Sequence, residues 1–217
     1  MEKDLLIHRV GLVPLPRQNS CPTVLYYSSE GEALVGDLAY ETAATEEAIP
    51  SLNHDFKVAL GNQSSRNLGS DLYPCADGEQ RSAFKLTAEF LRYCLKQAAI
   101  RLSEGGSQDA AHLMIAEPVS VHGEENGSWL ADYRKNLRDL LRNKEFTDIP
   151  NIHFEEVEFL PEPLAVFNFY RYGFRHPNLA GQEKYRVLVL DVGGGTSDCS
   201  VIETTKGGDI SKLPPTA

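Results

Sequence analysis

Apolar residues recur at steps of three or four positions along residues 82–104, which is the spacing of one face of an α-helix. Ser82 precedes the run as a potential N-cap, and Gly105–Gly106 follows it as a stop signal. We therefore predict a helix over 82–104 with one apolar stripe facing a core. The predicted stripe consists of Phe84, Ala88, Leu91, Leu95, Ala98 and Leu102.

Two more helices are predicted further along the chain. Ser128 is placed to cap a helix that runs to about Asn143, and a third helix is expected over 163–173. One face of the helix that follows Ser128 is apolar, and it carries Leu130, Tyr133, Leu137, Leu140 and Leu141.

Shorter apolar runs, bounded by turn residues, predict strands. A stretch rich in Asn, Ser, Gly and Asp over 62–80 predicts a loop. Because the strands alternate with helices, the pattern favours an α/β architecture. The predicted strands cover 22–27, 33–36, 111–117, 153–160 and 186–191.

The 217-residue chain is acidic, with 31 Asp+Glu against 21 Lys+Arg and a formal net charge of -10. This balance argues against nucleic acid or an anionic membrane surface as the main partner. No apolar run approaches the roughly 18 residues of a membrane span, and the first residues lack a signal-peptide pattern. We expect a cytoplasmic protein.

Cysteine and histidine spacing adds no further chemistry. Cys21, Cys75, Cys94 and Cys199 are widely separated with no CxxC pair, which is typical of reduced thiols in the cytosol. The six histidines show no metal-ligand spacing along the sequence.

The most informative segment is a run of three glycines between two apolar stretches, within VLVLDVGGGTSDCSVIE at 187–203. A P-loop or a Rossmann turn places its glycines between a strand and a helix. Here no helical pattern follows, no Gly-Lys-Ser/Thr is present, and the acidic residue of a dinucleotide site is missing. The segment therefore predicts a glycine-rich β-hairpin.

Such a hairpin suits the terminal phosphates of a nucleotide. Gly193, Gly194 and Gly195 leave backbone N–H groups unobstructed, so that they can surround a phosphate. Asp191 is a hard oxygen ligand suited to Mg²⁺ through its waters, and Thr196 offers a hydroxyl to a phosphate oxygen or an attacking water. The alternative is a simple glycine turn in which Asp191 and Asp198 are only solvated aspartates.

Most of residues 20–205 resemble the nucleotide-binding domain of the heat-shock protein 70 family, within the superfamily of actin and the sugar kinases. The matching segments follow the family's order along the chain. They are PTVLYY with GEALVGDLAYE in 22–41, HDFKVALG at 54–61, AHLMIAEPVSV ending at Val121, WLADYRKNL, FLPEPLAVFNFY at 159–170 and the glycine segment.

The resemblance implies a role for individual residues. It implies ATP or ADP with Mg²⁺ as cofactors, with Lys57 as the catalytic lysine near the γ-phosphate, and Glu162 with Asp191 on the metal's water shell. The catalytic set would be Lys57, Glu162, Asp191 and Thr196, and phosphate would contact Gly193, Gly194, Gly195, Thr196 and Asp198.

Two more residues correspond to the family's relay of nucleotide state, Pro118 and Arg134. Each assignment has a plain alternative. Lys57 and Arg134 are also consistent with solvated surface residues, Glu162 with a carboxylate that favours a helix start, and Pro118 with a strand stop.

By resemblance the fold would be the actin-like ATPase (ribonuclease H-like) fold. We expect 1–173 to form a first lobe, 174–185 a linker, and 186–217 the opening hairpin of a second lobe. The family's first phosphate hairpin, with its Asp-x-Gly-Thr, and most of the second lobe have no counterpart in the sequence. Client proteins and co-chaperones would therefore bind only through parts outside this chain.

The expected function is the ATPase domain of a chaperone similar to heat-shock protein 70, with impaired activity. Two alternatives stay open. One is a non-catalytic interaction or regulatory module that keeps the fold. The other is a different actin-like protein, such as a filament protein or a sugar kinase.

Because donors of the first phosphate hairpin are missing, we predict weak ATP binding and negligible hydrolysis by this chain. Single-turnover assays with Mg-ATP, run beside Lys57→Ala, measure this directly. Hydrolysis by the wild-type chain clearly above that of Lys57→Ala would contradict the prediction.

Overall fold

The structure is a computed structural model in which eight stretches of the chain are described. These are residues 21–61, 69, 71–104, 111–117, 127–149, 154–168, 184–192 and 197–205.

Helices and short β-sheets alternate along these stretches, so the structure mixes the two and is compatible with the α/β class predicted from the pattern. The helices are α1 (Asp37–Thr45), α2 (Phe56–Gly61), α3 (Ala83–Glu104), α4 (Gly127–Arg142), α5 (Lys144–Thr147) and α6 (Glu162–Asn168), with a 3₁₀ turn at Ile49–Ser51. The strands are β1 (Leu25–Tyr27), β2 (Ala33–Val35), β3 (Leu72–Pro74), β4 (Gln80–Ser82), β5 (Ala111–Glu117), β6 (Phe154–Pro161), β7 (Lys184–Val192) and β8 (Ser197–Thr205).

Each strand pairs with one neighbour among the described residues. The pairs are β1–β2, β3–β4, β5–β6 and β7–β8. The predicted strands at 22–27 and 33–36 form the hairpin β1–β2, in which Leu25 lies opposite Val35 and Tyr27 opposite Ala33. Gly31 in its turn has φ of 81°, a conformation that side chains other than glycine rarely adopt.

The longest predicted helix is confirmed, together with its start. α3 begins at Ala83, and the Ser82 hydroxyl accepts a hydrogen bond of 3.2 Å from the Lys85 backbone N–H. Its predicted stripe is only partly right. Ala88 is buried, but the most buried positions also include Ala83, Leu86 and Ala99, and the remaining described stripe residues are half-buried. α2, α4 and α5 all pack against α3, so its burial is spread around the helix.

The second predicted helix is α4, and its apolar face is confirmed by the burial of Tyr133, Leu137 and Leu141. The predicted start is two residues late, because a cap at Ser128 would put the first helical residue at 129. α4 begins at Gly127, so Ser128 lies in the first turn. α4 ends at Arg142, and the next residue, Asn143, caps α5, where its side-chain oxygen accepts a 2.9 Å hydrogen bond from the Glu145 N–H.

The loop predicted over 62–80 is wrong in its second half, where β3 and the start of β4 form a hairpin. These strands have only three residues each, which is too short for an alternating pattern to emerge. The connecting turn is held by a 3.0 Å bond from the Cys75 N–H to the Glu79 carbonyl. Gly78, with φ of 84°, provides the left-handed residue of this turn.

By its internal contacts the chain divides into two compact units. The first comprises residues 1–11, 115–119 and 159–217, and the second comprises 12–114 and 120–158. Among the described residues, no helix is both long and apolar enough to cross a bilayer.

In the second unit, β1, β2 and α1 enclose a core formed by Val24, Tyr26, Ala39 and Ala43. The Tyr26 hydroxyl donates a 2.8 Å hydrogen bond to Glu46. Burial, together with this carboxylate, raises the pKa of Tyr26 to about 12. In the same unit α3 packs against α4, where Phe84 meets Tyr133 edge-on with ring centroids 6.1 Å apart.

A half-buried ion pair links the β3–β4 turn to β1. The Arg81 guanidinium forms two hydrogen bonds with the Asp77 carboxylate, at 2.9 and 2.5 Å. The same guanidinium lies 3.6 Å from the centre of the Tyr27 ring. The hydrogen bond from Arg81 is the main reason that the pKa of Asp77 lies below its ordinary value of 3.8.

The four cysteines are free thiols, as their spacing predicted. Cys75 is buried, Cys21 and Cys94 are half-buried, and Cys199 is exposed. Burial raises the pKa of the Cys94 thiol to about 11 and also raises that of Cys21.

We predict that Asp77→Asn destabilises the protein by about 2 kcal/mol, measured by urea unfolding at neutral pH. The value is below the roughly 3–5 kcal/mol of a fully buried pair, because 10–12% of each side chain remains exposed. Since the folded pKa of Asp77 is depressed, its contribution is present above pH 3.8 and is lost as the pH falls through the folded value. The free energy of unfolding of Asp77→Asn should therefore fall less than that of the wild type as the pH is lowered.

Lys96→Gln is the matched control, because Lys96 pairs with Asp148 at 2.7 Å on the surface and should contribute little. Equal destabilisation by the two substitutions would contradict a special role for the Asp77–Arg81 pair.

Candidate functional site

The predicted glycine-rich hairpin is bounded by two long antiparallel strands. β7 and β8 pair from Lys184 opposite Thr205 to Val192 opposite Ser197 without interruption. A strand follows the glycines, as predicted, and no helix begins there. Residues 193–196 connect the two strands and lie outside the described residues. They are Gly193, Gly194, Gly195 and Thr196.

The register places the two predicted acidic residues directly across the ladder. Asp191 pairs with Asp198, one step before the pair Val192 and Ser197 that precedes the glycine connection. Both acidic positions therefore lie one residue pair away from the candidate phosphate loop.

One face of the hairpin is packed on α6. Leu164 and Phe167 of α6 form a core with Val189 and Ile202, and Leu160 and Val187 pack against it. The start of α6 agrees with the sequence, because Pro161 and Pro163 flank Glu162 and favour a helix start there. The helix predicted over 163–173 is described from Glu162 to Asn168.

Glu162 is the first residue of α6 and is half-buried. A carboxylate in the first turn is favoured by the helix dipole, so its position alone is explained by the helix. However, α6 shares a core with the strands that carry Asp191 and Asp198. Glu162 and these two residues therefore belong to the same compact unit.

The opposite face of the hairpin is apolar and exposed to solvent. Leu188 is 58% exposed, Leu190 is 65% exposed and Val201 is 43% exposed. Towards the end of the hairpin that lies away from the glycine connection, Arg186 donates a 2.6 Å hydrogen bond to Glu203 on the same face. Apolar residues on both faces are typical of a strand inside a larger sheet.

The other predicted site residues lie elsewhere. Lys57 is an exposed residue of α2, and Arg134 is a half-buried residue of α4; both belong to the second unit. Pro118 lies outside the described residues. The residue before it, Glu117, has no role in the sequence-based prediction, yet it is only 1% exposed at the end of β5.

One cluster of potential ligands was missed from the sequence. The Nε2 atom of His112 on β5 lies 3.2 Å from an Oε2 atom of Glu156 and 3.5 Å from that of Glu158, both on β6. The conclusion that no histidine has metal-ligand spacing is correct only along the sequence. More than 40 positions separate His112 from these glutamates, and strand pairing brings them together.

No protein-family model matches this chain. The assignment of a function therefore depends on the residues and their arrangement.

We predict that Phe167→Ala loosens the hairpin, because Phe167 is 1% exposed and truncating such a residue costs about 3 kcal/mol. Amide hydrogen exchange in β7 and β8 should accelerate by about a hundredfold. Val166→Ala is the control, since the neighbouring Val166 is 43% exposed and should change exchange little. Unchanged exchange in Phe167→Ala would show that α6 does not stabilise the strands.

Proposed function

We propose that this chain is a nucleotide-binding module of a chaperone ATPase similar to heat-shock protein 70, built on an actin-like fold. The observation that carries the proposal is the pair of long antiparallel strands on either side of the Gly-Gly-Gly-Thr connection. A strand after the glycines argues against the P-loop and the dinucleotide fold, in which a helix must follow.

The connection itself has the composition of a phosphate-binding loop. Gly193, Gly194 and Gly195 carry no side chain that would keep their N–H groups away from an anion. In the proposal these groups and the Thr196 hydroxyl hold the terminal phosphates of ATP or ADP. The register supports this arrangement, because Val192 and Ser197 pair and leave only four residues for the loop.

The donor set around the loop fits Mg²⁺. Asp191 and Asp198 occupy directly opposite positions, and like charges at such positions are unfavourable without a compensating cation. Glu162 lies on α6, which packs on the same strands and adds a third carboxylate to this unit. Mg²⁺ held here by Asp191 and Glu162 through its waters would neutralise charge on the phosphates.

Lys57 has the proposed role of a point charge near the γ-phosphate and the attacking water. Pro118 and Arg134 would relay the nucleotide state. Client proteins and co-chaperones would bind through other parts of the chaperone.

Nucleotide binding is tested by calorimetric titration of the whole chain with ATP, once with Mg²⁺ and once with EDTA. We expect Asp191→Asn to weaken binding of Mg-ATP by about tenfold and to have little effect on free ATP, because its contribution acts through the metal. Glu162→Gln should behave in the same way. Asp139→Asn on α4 is the matched control and removes an exposed carboxylate outside the site.

Two results would contradict the proposal. One is an absence of ATP binding by the wild-type chain at millimolar nucleotide. The other is equal Mg-ATP affinity of the wild-type, Asp191→Asn and Glu162→Gln chains. Binding without any turnover would support the nucleotide module and agree with the negligible hydrolysis predicted for this chain.

A further inference from the structure

Three metal-ligating side chains converge on the exposed surface of the β5–β6 pair. His112 lies on β5, and Glu156 and Glu158 lie two residues apart on β6, so both glutamates extend from the same face of the strand. All three residues are exposed, and their ligand atoms lie within 4.8 Å of one another. None of the three belongs to the proposed nucleotide site.

The distances match those between ligands of one metal ion. With Zn–N and Zn–O bonds of about 2.0–2.2 Å, tetrahedral geometry separates neighbouring ligand atoms by roughly 3.3–3.5 Å. The His112 Nε2 atom lies 3.2 Å from Glu156 Oε2 and 3.5 Å from Glu158 Oε2. The two glutamate oxygens lie within 4.8 Å of each other, and rotation of a carboxylate would bring them to the same spacing on a shared ion.

The backbone between Glu156 and Glu158 is held in place by burial and by a hydrogen bond. Val157, the residue between them, is 3% exposed, and its carbonyl accepts a 3.1 Å hydrogen bond from Arg138 Nε on α4. Alternation along the strand then directs Glu156 and Glu158 away from the buried side of Val157. The carboxylates therefore start from a backbone that is already ordered, which lowers the entropy cost of binding an ion.

Charge favours a cation at this surface. Two carboxylates face a single imidazole nitrogen, so the cluster is short of positive charge, and the whole chain has a formal net charge of -10. The imidazole selects among cations, because Mg²⁺ and Ca²⁺ prefer oxygen ligands, whereas Zn²⁺ accepts nitrogen and oxygen together.

We propose that His112, Glu156 and Glu158 form a Zn²⁺ site with three protein ligands on the exposed face of the β5–β6 pair. Three ligands leave a fourth position open to water or to a ligand atom from another molecule. Because the ligands come from two strands, bound Zn²⁺ also links β5 to β6. The site requires no nucleotide, so its occupancy is independent of the function proposed for the hairpin.

The test is calorimetric titration of the full chain with ZnCl₂ in the absence of nucleotide, with excess Mg²⁺ present. We expect one Zn²⁺ per chain to bind in the tightest phase. We expect His112→Asn, and likewise Glu156→Gln or Glu158→Gln, to weaken this phase by at least about tenfold. His54→Asn and Glu155→Gln are matched controls that remove an exposed histidine and an exposed carboxylate of β6 without touching the cluster.

A second measurement uses Co²⁺ as a spectroscopic substitute for Zn²⁺. The wild-type chain should show the intense visible bands of tetrahedral Co²⁺, and His112→Asn should lose them while its circular dichroism stays that of the wild type. The proposal is overturned if His112→Asn binds Zn²⁺ as tightly as the wild type. It is equally overturned if His54→Asn or Glu155→Gln weakens binding as much as the cluster variants do.

Discussion

The packing of α6 against one face of the β7–β8 hairpin is the contact on which the candidate site depends. A two-stranded hairpin alone is marginally stable in water, so its nine-pair ladder needs apolar support. Leu164 and Phe167 provide that support beneath Val189 and Ile202. Loss of this contact would release the ends of both strands, and the glycine connection between them would no longer have a defined entry and exit.

Much of the architecture was predictable because it depends on local chemistry. The α3 start follows from a single serine hydroxyl at Ser82, and the α4 face follows from helical spacing. The hairpin at the glycines was predictable for a similar reason. Val187–Leu190 and the β-branched residues after Asp198 each favour a strand, and the glycines between them favour a turn.

What the sequence could not reveal depends on contacts between distant segments. The β3–β4 hairpin is held by Arg81, which binds Asp77 and stacks on Tyr27, and three-residue strands give no periodic signal. The burial around α3 depends on three other helices, which no stripe on α3 itself specifies. The cluster at His112 likewise exists only because β5 and β6 pair. Glu156 and Glu158 lie on one face of β6, and this spacing would have indicated the cluster if the pairing of β6 with β5 had been known.

The exposure of Cys199 has a practical consequence. It lies opposite Leu190, two pairs from the glycine connection, while Cys75 is buried and burial raises the pKa of Cys21 and Cys94. The cysteine thiolate attacks maleimide reagents, so these reagents should modify Cys199 in preference to the other three. The native chain thus offers an attachment point for a fluorophore beside the proposed phosphate loop, with no need to engineer the remaining thiols away.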